Sequence, residues 1–161
     1  MKSFVFAALL LPLTAGEVPQ WKSLFNGKDL TGWGFRAKKT FKQTANFDGK
    51  KASDDGRYRA INGRLVVTTP PEGRRVQQLW TTKEFPKDFT LKLEFRATPN
   101  ADSGVFIRKP QLQCRDYVLA GPWKDLKNYK PQEWNEIVAV VDGTPITYQD
   151  VVGKLDLAIE V

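Results

Sequence analysis

The stretch DFTLKLEFRA, residues 88–97, decides the fold class of this chain. Four apolar residues alternate in it with four polar ones: Phe89, Leu91, Leu93 and Phe95 with Thr90, Lys92, Glu94 and Arg96. Period-two alternation of this length is typical of a β-strand that is buried on one face. SGVFIR, residues 103–108, resumes the alternation after a connection rich in turn formers. We therefore predict an antiparallel hairpin whose core also contains Val105 and Ile107.

Short segments of the same character lie on both sides of this stretch. Apolar or alternating runs bounded by turn residues occur at 58–68, 75–82, 111–118 and 133–141. The first run contains Asn62-Gly63, a dipeptide that favours a two-residue hairpin turn. No segment from residue 21 onward carries an apolar stripe with helical spacing. Many short strands with turn punctuation predict an all-β domain, either a sandwich or a barrel.

The N-terminus has the layout of a secretory signal peptide. A positive start at Lys2 precedes an apolar run at 4–13, and small residues at 14–16 follow it. A membrane anchor is the less favoured alternative, because spanning a bilayer takes roughly 20 apolar residues. We predict a signal peptide at 1–16 and a secreted or periplasmic domain at 21–161. No other stretch is long and apolar enough to cross a membrane.

Composition narrows the chemistry that is open to this chain. The sequence has no histidine and one cysteine, Cys114. Absence of histidine excludes a Ser-His-Asp triad, a Cys-His dyad and a zincin site, and one cysteine forms no intramolecular disulfide. We expect Cys114 to be a buried small residue rather than a nucleophile. The net charge is +7, but the basic clusters at 36–39, 50–51 and 74–75 are scattered, which favours solvated loops over a nucleic-acid site.

The stretch SLFNGKDLTGW, residues 23–33, resembles the N-terminal signature of the 3-keto-disaccharide hydrolase family, also described as 3-keto-glucoside lyases and 3-keto-glucal hydratases. Further matches follow in order: LWTTKEF at 79–85, DFTLKLEFR at 88–96, SGVFIR at 103–108 and EWNEI at 133–137. The resemblance covers roughly residues 21–141. It implies a concanavalin-like jelly-roll β-sandwich. Residues 144–161 match the family's last strands only loosely, so we expect a divergent or shortened end and an open sheet edge that invites association.

The resemblance also implies a reaction. A ketone at sugar carbon 3 acidifies the hydrogen at carbon 2, so a base removes it and the group at carbon 1 leaves from the enolate. Water then adds to the glucal. Such a site needs a base, an enolate stabiliser and an acid for the leaving oxygen. The family's Glu-x-Gln-x-x-Asp pattern matches Gln111, Gln113 and Asp116, so a glutamine, which cannot transfer protons, replaces the glutamate here.

The resemblance and the alternation together give a set of candidate site residues. The catalytic candidates are Glu94, Arg108 and Asp116, and the substrate-binding candidates are Arg96, Gln111, Gln113 and Trp123. In a regular hairpin, Glu94, Arg96 and Arg108 project from one sheet face, beside the strand that carries both glutamines. A solvated face with cross-strand ion pairs explains Glu94 and Arg96 equally well.

The tryptophans are many for a domain of this size, and sugar sites stack apolar ring faces on such side chains. Trp123, in a polar segment, is the tryptophan that we expect to be exposed. Trp33 and Trp134 are expected to pack in the core. We expect Asn26 and Asp29 to shape the turn before Trp33.

Three functions remain open from the sequence. The first is an enzyme, a hydrolase or lyase acting on 3-keto-glycosides. The second is a non-catalytic carbohydrate-binding module, which the glutamine at 111 and the missing histidine favour. The third is a structural domain that associates through an open sheet edge. No organic cofactor is indicated, and a divalent cation is compatible with the carboxylates and amides although their spacing is no metal motif. The expected partner is a carbohydrate, with no nucleic acid, and the oligomeric state does not follow from the sequence.

The leader layout predicts a mature protein that begins near Glu17. Mass spectrometry of secreted material should therefore show a chain lacking the first 16 residues. Secreted protein that retains Met1 would contradict this prediction.

Overall fold

A computed structural model describes residues 3–10, 21–69, 77–107, 111–114, 130–141 and 158–160. These residues form twelve strands and no helix. In chain order the strands are β1 Ser3–Leu10, β2 Trp21–Ser23, β3 Trp33–Arg36, β4 Gln43–Asn46, β5 Tyr58–Ile61, β6 Arg64–Val67, β7 Leu79–Thr81, β8 Phe89–Arg96, β9 Gly104–Phe106, β10 Gln111–Gln113, β11 Asn135–Val141 and β12 Ala158–Glu160. The all-β prediction is therefore confirmed. No helix able to span a membrane occurs in this part of the chain.

The strands form two sheets in which every pairing is antiparallel. Sheet A has the order β11-β8-β1-β6-β5, with β2 also pairing with β1, and sheet B has the order β10-β9-β12-β7-β3-β4. One apolar cluster draws fully buried residues from both sheets: Leu65, Leu91 and Leu93 from sheet A, and Trp33, Leu79 and Val105 from sheet B. Two sheets around a shared core make a β-sandwich. The jelly-roll connectivity that the resemblance implies stays a prediction.

Strand β8 follows its sequence pattern closely. Its four apolar residues are buried, whereas Lys92 and Glu94 are exposed. Val105 and Ile107 are buried as predicted, and Trp33 lies in the core as expected. Alternation thus assigns the buried faces of β8 and β9 correctly, because successive side chains of an extended chain point to opposite sides.

The hairpin predicted between residues 88–97 and 103–108 is wrong. Strand β8 pairs with β1 and β11 in sheet A, whereas β9 pairs with β10 and β12 in sheet B. The connection between them therefore crosses from one sheet to the other, and Ala97 and Ser103 at its ends are buried. Two strands that face one core from opposite sheets show the same alternation as two paired strands. The pattern fixes the face of a strand and leaves its partner open.

The turn at Asn62-Gly63 forms as predicted. Strands β5 and β6 are antiparallel neighbours, with Ile61 opposite Arg64. Asn62 and Gly63 both adopt positive φ, 50° and 74°. Positive φ at both central residues is what a two-residue type I′ turn requires, and this sequence meets that requirement at little cost.

Strand β1 lies inside the segment predicted to be a leader. It occupies the middle of sheet A, with seven residues in register with β8 and three in register with β6. Its C-terminal end also pairs with β2. Export and cleavage stay predictions.

The fold predicts a large difference between two substitutions in neighbouring strands. Leu93 is 1% exposed and belongs to the core cluster, whereas Val138 on β11 is 55% exposed. Leu93→Ala should lower the free energy of unfolding by about 2–5 kcal/mol, because it removes buried methyl groups and leaves a cavity. The control Val138→Ala should change it by less than about 0.5 kcal/mol. Urea unfolding measures both, and equal effects would refute the assigned faces.

Candidate functional site

The predicted site residues are divided between the two sheets. Glu94 and Arg96 lie on β8 in sheet A, whereas Gln111 and Gln113 lie on β10 in sheet B. The three other candidates, Arg108, Asp116 and Trp123, lie outside the described residues. The prediction that the glutamine strand lies beside Glu94 and Arg96 is therefore wrong. It failed because the hairpin that would have joined these strands in one sheet does not form.

The outer face of sheet A carries a cross-strand ion pair. Lys92 Nζ lies 2.6 Å from Glu136 Oε2, and both side chains are about half exposed. The hydrogen bond with Glu136 raises the pKa of Lys92. Glu94 is the register partner of Glu136, so two carboxylates flank one lysine on this face. An exposed pair of this kind contributes little to stability, and the arrangement matches the solvated-face alternative for Glu94.

Two arginines lie close to the Trp134 ring on the same side of sheet A. The guanidinium carbons of Arg64 and Arg96 are each 5.5 Å from the centroid of its rings. The residue is only half-buried and is not part of the core cluster, so the prediction that it packs in the core is wrong. The neighbouring Asn135 holds the chain around Trp134 in place. Its side-chain amide accepts from the Lys130 backbone N–H at 2.8 Å and donates to the Lys130 and Glu133 carbonyls. Arg96 is therefore engaged in a cation–π contact.

The outer face of sheet B presents a second candidate surface. One line of register partners crosses all six strands: Asn46, Gly34, Trp80, Ala158, Phe106 and Gln111. We call this line the outer row. Gly104 in the adjacent line is the register partner of both Gln113 and Glu160.

Trp80 is the central aromatic residue of the outer row. It is buried, at 6% exposure, yet it is absent from the core cluster that contains its strand neighbour Leu79. Because neighbours along a strand face opposite sides, Trp80 faces away from the sandwich core. It is shielded from solvent by Phe41, whose ring centroid is 5.2 Å away in an edge-to-face arrangement. An aromatic pair therefore lies on the outer surface of the sheet.

Arg36 fixes this aromatic pair in place. Its guanidinium donates to the carbonyls of Phe41, Thr81 and Thr82 at 3.1–3.3 Å. It also forms an ion pair of 3.3 Å with Glu84. The Arg36 side chain is only 8% exposed, so the expectation of a solvated basic cluster is wrong at this residue, although Lys38 and Lys39 are exposed. Arg36 thus ties the β3–β4 loop to the turn after β7.

Gly34 lies beside Trp80 in the outer row for a steric reason. A Cβ atom at this position would overlap the carbonyl oxygen of Ala45 on the neighbouring strand. Backbone atoms cannot yield as a flexible side chain can, so glycine is needed where β3 and β4 approach and the register shifts after Phe35. The sequence WGFR, residues 33–36, could have predicted this placement, since alternation puts Gly34 and Arg36 on the face opposite the buried Trp33.

The signature residues 23–33 form a turn, as expected. The Asn26 side chain accepts from the backbone N–H groups of Lys28 and Asp29 and donates to the Asp29 carboxylate at 2.7 Å. Hydrogen bonds from Thr31 and Asn26 lower the pKa of Asp29. The turn leads into Trp33, whose indole N–H donates to the Leu24 carbonyl at 3.0 Å. These contacts stabilise the turn, so the signature residues 23–33 have a structural role.

The single cysteine of the chain is buried in the core. Cys114 is 2% exposed within the core cluster, and burial raises the pKa of its thiol to about 12. It is therefore a buried small residue, as expected, and not a nucleophile at neutral pH.

Across the residues that the structure describes, no group of three or more Cys, Asp or Glu side chains is placed to hold a metal ion.

The chain matches the profile of the 3-keto-alpha-glucoside-1,2-lyase-like domain over residues 20–152. That match covers most of the chain, so the protein belongs to this glycoside-active family. No curated protein and no solved structure matched the chain.

The buried thiol predicts a specific dependence of stability on pH. The folded chain keeps the Cys114 proton up to about pH 12, whereas the unfolded chain loses it near the ordinary thiol pKa of about 8.5. The unfolded state thus binds fewer protons above that pH, and stability falls by up to about 1.4 kcal/mol per pH unit. Urea unfolding at pH 8, 9 and 10 should show a steeper loss for the wild type than for Cys114→Ala. Parallel pH profiles for the two proteins would contradict the assignment.

Proposed function

We propose that this chain is an exported domain that cleaves 3-keto-glycosides at the outer face of sheet B. The observation that carries the proposal is the outer row, because it joins Trp80, which Phe41 covers, to Gln111 in one line across the sheet. Three strand spacings separate these two residues, roughly 14 Å at the usual spacing. That span is on the scale of a disaccharide.

The residue types along this row suit a sugar. Phe106 in this row and Phe41, which lies against Trp80, are both half-buried and offer apolar faces for a pyranose ring. Glutamine amides both donate and accept hydrogen bonds, which is what sugar hydroxyl groups require. Gly104, the register partner of Gln113, has no side chain that would compete with the glutamine for a ligand.

We assign the proton transfers to residues that flank β10 in the chain. Arg108 precedes the strand by three residues and Asp116 follows it by three. In this scheme Asp116 removes the proton from carbon 2, and the Arg108 guanidinium stabilises the enolate oxygen at carbon 3. The protonated Asp116 then returns its proton to the leaving oxygen at carbon 1. Glu94 has no part in this scheme because it lies in sheet A.

The second candidate function is carbohydrate binding without turnover. It is favoured by Gln111, which stands where family members carry a glutamate. An amide at this position keeps the hydrogen bonds to a sugar and removes a proton-transfer group. The two functions share one ligand class and one surface, so a single set of variants separates them.

The test is incubation of the purified protein with a 3-keto-disaccharide and, separately, with the parent disaccharide. We expect sugar release from the keto form alone, because only its carbon-2 hydrogen is acidic. Asp116→Asn should lower turnover by about 10²–10⁴-fold, the usual contribution of a general base, while binding persists. Chromatography of the released sugar and calorimetric titration measure the two effects.

The matched control is Glu94→Gln, the same change of acid to amide on the opposite sheet. It should leave both turnover and binding unchanged. If the wild type binds the sugar without any turnover, the protein is a carbohydrate-binding module and not an enzyme. Equal losses in Glu94→Gln and Asp116→Asn would refute the assignment of the site to sheet B.

A further inference from the structure

A short loop covers the indole of Trp80 on the outer face of sheet B. Residues 37–42 connect β3 to β4, and Phe41 in this loop places its ring centroid 5.2 Å from that of Trp80. Trp80 faces outward and yet is only 6% exposed. The largest apolar side chain of the outer row is therefore shielded from any ligand in this form of the protein. We call residues 37–42 the Phe41 loop.

Phe41 holds its position with an unfavourable backbone conformation. Its φ is 53°, in the left-handed region that bulky side chains rarely adopt. A residue in such a conformation persists only where its surroundings fix it. Here the Phe41 N–H donates to the Ala37 carbonyl at 2.8 Å, and the Phe41 carbonyl accepts from Arg36 at 3.3 Å. The backbone strain favours release of Phe41, whereas these two hydrogen bonds and the contact with Trp80 oppose it.

The rest of the Phe41 loop is weakly anchored. Every residue from 37 to 46 is at least partly exposed, and Lys38, Lys39 and Lys42 are fully on the surface. The base of the loop is closed by the Ala37 N–H, which donates to the Lys42 carbonyl at 2.9 Å. Segments with few buried apolar contacts and with solvent-exposed hydrogen bonds open at a low cost in free energy. The anchor of this loop on the sheet is the Phe41 ring.

The indole beneath the loop is held much more firmly. Strand β7, which carries Trp80, is paired on one side with β3 and on the other side with β12. Release of Phe41 would cost Arg36 one hydrogen bond, since its guanidinium also donates to the Thr81 and Thr82 carbonyls and pairs with Glu84. The buried charge therefore stays hydrogen-bonded when the loop moves. Trp80 is thus a fixed platform under a displaceable cover.

We propose that Trp80 is a cryptic sugar-stacking site and that Phe41 is its lid, which a pyranose ring displaces. The Phe41 ring occupies the place on the indole that the apolar face of a pyranose would take. Displacement exchanges an edge-to-face aromatic contact for a sugar–indole stack, and it relieves the backbone strain at Phe41. The ligand thereby selects an open form that is minor in the empty protein. This inference rests on the proposed function, from which it takes the ligand class and the sheet face.

The test follows the Trp80 indole directly. Protein labelled with fluorotryptophan gives one fluorine resonance for each tryptophan, and the Trp80 resonance is identified by its loss in Trp80→Phe. The protein is titrated with a 3-keto-disaccharide and, separately, with the parent disaccharide, while calorimetry measures the dissociation constants. We expect bound sugar to shift the Trp80 resonance and to leave that of Trp33, which is 0% exposed in the core, unchanged. The Trp33 resonance also reports that each variant is folded.

The variant that removes the lid is Phe41→Asn. Asparagine tolerates the left-handed region, so the loop keeps its shape while the ring is lost. The wild type binds only through its minor open form, so Phe41→Asn should bind the 3-keto-disaccharide about tenfold more tightly. Without ligand, its Trp80 resonance should differ more between light and heavy water than that of the wild type, because the indole is then exposed. The matched control is Lys39→Asn, the same new residue at an exposed position of the loop, which should bind as the wild type does.

Two outcomes would overturn the lid and leave sugar release, measured separately, as the test of the proposed function. In the first, calorimetry detects binding while the Trp80 resonance stays unchanged, so the sugar binds away from the indole. In the second, Phe41→Asn binds no more tightly than Lys39→Asn, so Phe41 is a fixed part of the surface. Conversely, a Trp80 shift and tighter binding by Phe41→Asn without sugar release would support the lid and refute the enzyme. A protein that binds neither sugar, with or without the Phe41 ring, would overturn both.

Discussion

Burial of one face of β8 is the constraint on which the rest of the structure depends. Its four apolar side chains lie in the core, and both of its edges carry a ladder of seven register pairs, with β1 and with β11. Because a slip of one residue would turn this whole face to solvent, the register of three strands follows from a single alternating sequence. The same rule sends Lys92 and Glu94 outward to the solvated face, where Lys92 forms an ion pair with Glu136.

The outer face of sheet B is built on a different principle. There the buried guanidinium of Arg36 stabilises the surface. It donates to three carbonyl oxygens, which joins the β3–β4 loop to the turn after β7 and keeps Phe41 against Trp80. Burial of a charged group to 8% exposure is costly unless it is hydrogen-bonded, and here backbone carbonyls and Glu84 engage the two terminal nitrogens of the guanidinium. The candidate sugar surface is therefore held by polar contacts, while the core beneath it is held by apolar packing.

The sequence predicts faces and turns well and strand partners poorly. Burial of Leu93 and Val105, the turn at Asn62 and the Asn26 turn all follow from local patterns, and the structure confirms them. The partner of β9 was missed because nothing within residues 103–108 distinguishes a paired strand from one in the opposite sheet. The role of Arg36 was missed because its partners at 81–84 lie some 45 residues away in the chain. Long-range pairing of this kind leaves no local periodicity to read.

Strand β1 lies in the centre of sheet A, between β8 and β6. Sheet B contains neither β6 nor β8, so the outer row has strand pairings of its own. The two sheets nevertheless share one core, to which Leu91 and Leu79 both belong. A change in the strand pairing of sheet A therefore acts on the outer row through the stability of that core, and needs no direct contact between the two outer faces.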